Sequence, residues 1–259
     1  EISETGPKRR AQLPSANEWT SPLLHDRKCA KNAAIDVIIP VHGNREASLA
    51  CIHSVLRSNV CVPFDLVVID DASPAPTLAA ELKTLSQKNY FVLLSNDTNL
   101  GFVASVNRGM ELHGDRDVVL LNSDTEVYTD WLDRLRAAAY EQPRIGTATP
   151  LSNNAEIFSY PQIGKNNEHK IEIPDAEIDA LAARVNAGCV ISAPTAVGFC
   201  VYLRRDCLKE VGLFDVARFG RGYGEENDFC LRAERLGWKH VVATNIFVRH
   251  LGGASFGKE

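Results

Sequence analysis

Two groups of oxygen-bearing side chains in this 259-residue chain stand where they could do chemistry. The first follows a run of hydrocarbon: Val118 to Leu121 are apolar, and Asn122, Ser123, Asp124 and Glu126 come directly after them. The second is the acidic run Glu225, Glu226 and Asp228, at the head of a helical pattern. Asp124 suits a hard divalent cation, because magnesium and manganese take oxygen ligands and bridge diphosphate oxygens. A positioned carboxylate of the second group could take a proton from a hydroxyl. Both groups also have an ordinary reading. Asn, Ser and Asp are common turn formers, and acids in a first helical turn are favoured by the helix dipole.

The elements that must position these groups are legible from residue 35 onward. "IDVIIPV", "FDLVVIDD", "YFVLLSN" and "DVVLLNSD" read as strands, and "REASLACIHSVLRS", "TLAAELKTLSQ" and "FVASVNRGMEL" as the helices between them. The strands are apolar throughout rather than alternating, which predicts a parallel sheet covered on both faces, an α/β fold. A helix is expected over Trp131 to Tyr140. Beyond it the rhythm breaks: "IGTATPLSNNAEIFSYP" reads as strand then loop, "AEIDALAARVNA" as a helix and "VGFCVYLRR" as a strand leading to a short helix. "EENDFCLRAERLGW" is a helix that Gly237 ends, and "KHVVATNIFVRH" supplies closing strands. The expected division is an N-terminal extension over 1–34, a nucleotide-binding half over 35–142 and a mixed half over 143–259 that adds to the same sheet.

Each strand of the first half ends in small or polar residues. They are Pro40, Val41, His42, Gly43 and Asn44; Asp70, Asp71, Ala72 and Ser73; Ser95 and Asn96, then Asn99 to Gly101; and Asn122, Ser123 and Asp124. One such end is a turn, but four along one sheet edge make a rim where a nucleotide would lie. The glycine-rich phosphate loops of dinucleotide-binding and P-loop folds are missing, since "VHGNRE" holds one glycine. A divalent cation is then the natural partner for phosphates.

Bulk composition removes several classes. Acidic residues exceed basic ones by 33 to 28, for a net charge of −5, and "PKRR" at residues 7–10 is a short basic run, so no nucleic-acid partner is expected. No apolar run approaches the roughly 18 residues of a spanning helix. The seven cysteines form no CxxC pair, which argues against a zinc ribbon and for a reducing, cytoplasmic compartment. The chain starts at Glu1 rather than Met, so a longer protein is expected, with further domains or a membrane attachment outside these residues.

In order along the chain, "VIIPVHG", "VVIDDAS", "NLGFVASVNRG", "LLNSDTEV", "GFCVYLRRDCLKEVGLFD" and "GYGEENDFCLRAERLGW" resemble the family 2 glycosyltransferases of the GT-A fold. The resemblance covers roughly residues 35–251. It implies inverting transfer of a sugar from a nucleotide-sugar, UDP- or dTDP-linked by family habit, to a saccharide or glycoconjugate acceptor, as in polysaccharide synthesis, with Mn2+ or Mg2+ as cofactor. By position it places Pro40, Val41 and His42 beside the base, Asp70 and Asp71 at the base or ribose, and Asn99 and Gly101 in the segment closing over the nucleoside. "NSD" takes the place of the family's Asp-x-Asp triplet: Asp124 matches the metal-binding carboxylate, with Asn122 and Ser123 on the nucleotide. Asn122 replaces an aspartate and brings no charge, which weakens the expected hold on a metal. The resemblance further implies Glu226 as catalytic base, Glu225 as an acceptor-side residue and His250 as a second metal ligand. A nucleotide-sugar-binding module that has lost catalysis is the alternative, and nucleotidylyl transfer, with pyrophosphate as product, a further one.

Overall fold

The computed structural model describes residues 7–20, 34–169 and 173–252 of the chain. Cys29 and the tail after Gly252 lie outside the described residues. Strand β1 (Ile35–Val41) runs parallel to β2 (Phe64–Asp70) on one side and β4 (Asp117–Leu121) on the other, and β3 (Val92–Ser95) adds a parallel strand beyond β2. Alternate side chains of a strand face opposite sides, and both sides are covered. Ile35, Val37, Ile39 and Val41 enter one core, and Ile38 the other. The first core takes α1 (Arg45–Arg57), α2 (Pro76–Gln87) and α4 (Trp131–Tyr140); the second takes α3 (Phe102–Met110).

These helices form where the sequence places an apolar stripe. Leu49, Ile52, Val55 and Leu56 of α1, and Leu78, Leu82 and Leu85 of α2, repeat at three- and four-residue spacing and are buried. Each fully buried side chain of this size stabilises the fold by roughly 1.5–3 kcal/mol. Asn44 caps α1 by accepting from the Ala47 amide at 3.2 Å, and Pro76 opens α2, where a missing N–H leaves nothing unpaired.

The sheet then becomes mixed. β8 (Cys200–Leu203) lies antiparallel between β4 and β6 (Ile145–Ser152), and β9 (Lys239–His250) is parallel to β6. β5 (Thr125–Glu126) and β7 (Val190–Ala193) both pair antiparallel with β9. The second half thus extends the first sheet, in the order β3-β2-β1-β4-β8-β6-β9-β5. On the face of the second core sit α6 (Arg205–Val211) and α8 (Glu225–Arg235), with α7 (Val216–Phe219) between them in sequence; α5 (Asp175–Val185) packs along β9. Three of these elements, β5, β7 and α7, have no counterpart in the sequence pattern. β7 has Ile191 exposed, and α7 is a single turn with no buried residue.

The closing segment is one bent strand rather than several. Pro150 of β6 pairs with Ala243, but the next residue, Leu151, pairs with Phe247, so β9 carries extra residues at this point. Such an irregularity bends a strand, and here it carries the end of β9 across to β5, where Thr125 pairs with His250. The backbone groups freed at the bend find side chains. Asn186 donates to the Thr244 carbonyl at 2.8 Å, Arg134 donates to the Asn245 carbonyl, and Asp179 accepts from the Phe247 amide at 3.0 Å. Buried backbone groups must be paired, which accounts for the fully buried Asp179.

Part of the N-terminal extension lies on the domain. Trp19 is buried beside Tyr90, whose hydroxyl donates to the Trp19 carbonyl at 2.6 Å, and Arg9 is buried against α5. Among the described residues no helix is long and apolar enough to cross a membrane.

Candidate active site

The carboxyl ends of β1 to β4 meet as the sequence pattern implies, but their side chains mostly bind one another. Asp71 is buried and accepts from the Leu100 amide (2.8 Å), the Gly101 amide (2.9 Å) and the Asn96 side-chain amide (2.8 Å). Its carboxylate therefore anchors the 99–101 segment. Asp70 accepts from the Ser73 amide at 2.9 Å and shapes the turn after β2. Val41 is fully buried in the core and Pro40 is buried with it, so neither presents a side chain to the rim. Alternation along β1 places the Val41 side chain in the same core as α1.

His42 does reach the rim. Its Nδ1 lies 2.8 Å from the Asp71 carbonyl and so carries the proton, which leaves Nε2 to accept from the Asn99 side chain at 3.0 Å. Gly101 sits at φ +82, and a Cβ there would come within 2.9 Å of the Arg221 Cα. Only glycine allows that backbone and that approach. The loop before α8 is thereby docked onto the rim.

A cleft of about 260 Å³ opens next to the rim, lined by Asn122, Asp124 and His250 on one side and by Arg221, Glu225 and Glu226 on another. Asp124 follows β4, and the bend of β9 brings His250 to it, with Nε2 3.4 Å from the Asp124 carboxylate. The His250 Nδ1 donates to the Asn154 carbonyl at 2.6 Å, and the ring stacks on Phe199. The bond to Asn154 orients the ring and turns Nε2 toward Asp124. Burial disfavours the charged imidazole, but the Asp124 charge and the bonds to Asp124 and Asn154 outweigh it, and the pKa is raised.

One carboxylate and one oriented imidazole facing an open cleft fit a hard divalent cation whose other ligands are diphosphate oxygens and water. Among the described residues no group of three or more His, Cys, Asp or Glu gathers. Asn122 lines the cleft, while Ser123 is buried behind it. Beneath them the Cys51 thiol donates to the Asn122 carbonyl, and burial pushes its pKa up to about 12, so it is inert.

The acidic run divides into two parts. Asp228 pairs with Arg232 (2.8 Å) and Arg218 (3.3 Å) and belongs to the helix surface. Glu225 and Glu226 line the cleft instead, and each has a buried Oε2 with no hydrogen-bond partner. Burial first, then the charge of Glu226, pushes the Glu225 carboxyl up to about 7. Such a group exchanges its proton near neutral pH. The left-handed turn at Gly224 starts α8 and aims both acids inward.

Sequence reasoning missed Asn153 and Asn154, which hold His250, and Phe199 beneath its ring. A signal existed for the asparagines. β6 is also parallel to β9, and "SNN" at Ser152–Asn154 is one more polar strand end of the kind that marked the other four.

Residues 36–212 match the family described as Glycosyl transferase family 2. The chain is 24% identical over 220 residues to an uncharacterised protein of Mycobacterium tuberculosis, covering 83% of this chain and 73% of that protein. It is 23% identical over 245 residues to the amylovoran biosynthesis glycosyltransferase AmsB of Erwinia amylovora, covering 88% and 73%. Among solved structures it is similar to GalNAc-T7 with UDP, GalNAc and Mn2+, at TM-score 0.64 and 18% identity over 84% of this chain and 43% of that one. It is also similar to the mannosyltransferase PcManGT of Pyrobaculum calidifontis in complex with GDP-Man and Mn2+, at TM-score 0.59 and 12% identity over 91% and 63%. The chain thus spans less than two thirds of either solved chain.

Proposed function

The chain belongs to glycosyl transferase family 2 and has the GT-A fold, and on that premise we propose that it moves a sugar from a nucleotide-diphosphate sugar to an acceptor hydroxyl with inversion. The observation that carries this reading is the single cleft in which Asp124 and His250 face Glu225 and Glu226. The nucleoside lies along His42, Asn99 and Gly101, with Asp71 holding that wall in place. Asn122 reaches the ribose or diphosphate as a neutral hydrogen-bonding group. A manganese or magnesium ion on Asp124 and His250 would offset the charge that builds on the leaving diphosphate.

Glu226 takes the acceptor proton as the acceptor oxygen bonds to the anomeric carbon and the bond to the diphosphate breaks. Glu225 lies beside it and orients the acceptor. The exposed Tyr223 and the segment around Glu156 flank the same opening and supply acceptor contacts. The acceptor is a saccharide or glycoconjugate, as in polysaccharide synthesis. Among the described residues six cysteines are free, which supports the reading of a reducing, cytoplasmic setting.

The test separates binding from chemistry. UDP, dTDP and GDP are titrated with and without Mn2+ into wild type and the Asp124→Ala, His250→Ala and Glu226→Gln variants, and sugar transfer from the matching donor is then assayed. Asp124→Ala and His250→Ala should lose the gain in nucleotide affinity that Mn2+ brings. Glu226→Gln should bind donor normally and transfer slower by about 10²–10⁴. Normal transfer by Glu226→Gln would rule out that base, and a wild type that binds but never transfers would leave a binding module.

A further inference from the structure

Residues 7–11 precede the span that matches the family, yet they are wired to the strand end that carries His250. The Arg9 side chain is 2% exposed. Its Nε and Nη2 grip Asp175, the first residue of α5, at 3.0 and 2.8 Å. Its Nη1 donates to the carbonyls of Asn167 (2.6 Å) and His169, while its backbone amide donates to the Glu168 carbonyl at 2.8 Å. Asn167 passes the tie onward. Its backbone amide and its side chain donate to the Asn153 carbonyl at 2.9 and 3.0 Å.

Asn153 then clamps His250 from both sides of its backbone, accepting from the His250 amide at 2.8 Å and donating to its carbonyl at 2.7 Å. A second link runs alongside. Arg249 donates to the Arg10 carbonyl at 3.2 Å and pairs with Glu126 of β5. Every step of both routes is a contact between named groups.

We propose that the segment Lys8–Ala11 is a strap that positions His250, acting through Arg9, Asn167 and Asn153. Arg9 is thus a positioning residue, and the proposal rests on the reading of His250 as a metal ligand. The chemistry explains why an arginine stands there. A planar guanidinium can hold a carboxylate in two-point contact and still donate to two carbonyls. Without it, Asp175 and both carbonyls lose a buried donor, and the 153–169 segment is free to relax. That segment also contributes the Asn154 carbonyl, so relaxation would loosen the tautomer of His250 as well as its backbone.

The experiment uses Arg9→Ala, Arg9→Lys and Asp175→Asn in the full chain, beside His250→Ala. Mn2+ is titrated by electron paramagnetic resonance in the presence of saturating UDP or dTDP, and each nucleotide is titrated without metal. Outer-shell partners are worth about 10–100-fold in metal affinity. Arg9→Ala should lose an amount of that order while metal-free nucleotide affinity and far-ultraviolet circular dichroism stay unchanged, and Arg9→Lys should recover part of the loss. Unchanged Mn2+ affinity in a folded Arg9→Ala protein overturns the strap. If Arg9→Ala does not fold, the isosteric Asp175→Asn carries the same two outcomes. A His250→Ala protein that binds Mn2+ like wild type refutes the metal-ligand reading instead, and the strap falls with it.

Discussion

Replacing Glu225 with Gln should change how stability depends on pH, by an amount the structure allows to be worked out. Glu225 is 5% exposed, its Oε2 is buried without a hydrogen-bond partner, and the Glu226 carboxylate lies next in the chain. Burial and that charge move its pKa from the ordinary 4.5 to about 7. In the unfolded chain the group titrates at its ordinary value, so between these limits the folded state binds more protons than the unfolded one. Stability must then fall as pH rises from about 4.5 through about 7. At 1.36 kcal/mol per pH unit, the whole interval corresponds to roughly 3 kcal/mol.

Glu225→Gln has no proton to lose and should escape this decline. Urea unfolding of wild type and variant, at intervals between about pH 5 and 8, measures the effect directly. The two should differ least at the acid end, and the variant should gain by roughly 3 kcal/mol toward the alkaline end. Parallel stability curves across that range would refute the reasoning. They would mean that Glu225 finds a partner or a solvent path, and that the cleft does not hold a proton near neutral pH. A carboxyl kept in that range inside the cleft is a cost to stability that the fold carries.

Other outcomes follow from contacts at the rim and in the cleft. Asp71→Ala strips the acceptor from three donors, and at about 1.5–3 kcal/mol for a charge-assisted bond it should lower the melting temperature and weaken metal-free UDP binding by calorimetry. Gly101→Ala forces a side chain into a left-handed backbone against Arg221. It should cost about 1–3 kcal/mol and speed amide exchange over Arg221–Gly224, with unchanged exchange counting against the docked loop. Mn2+ affinity measured with UDP present should decline as pH falls through the histidine range, because only neutral imidazole ligates; a flat profile would remove His250 from the site.

Local physics is written plainly in this sequence. Apolar runs such as Val118–Leu121, alternating with helical stripes such as Leu78, Leu82 and Leu85, specify a parallel sheet covered on both faces. The polar residues that follow each run specify its functional edge. Periodicity and turn chemistry act over a few residues, so a reader of the chain recovers them. What each rim side chain does was decided elsewhere. Asp71 anchors the Leu100 and Gly101 amides, and strand alternation turns the Val41 side chain into the core.

By residue type and helix position the acids at the start of α8 are alike, and packing sets Asp228, held by two arginines, apart from Glu225 and Glu226 in the cleft. The bend in β9 that delivers His250 to Asp124 comes from a register shift against β6, and pairing register is a relation between distant segments. Arg9 is the extreme case, since it meets Asp175 across 166 residues of sequence. No local pattern announces such a contact. The chain alone determines which elements form and which edge they share, whereas the order of strands and the burial of individual charges exist only once distant segments have packed.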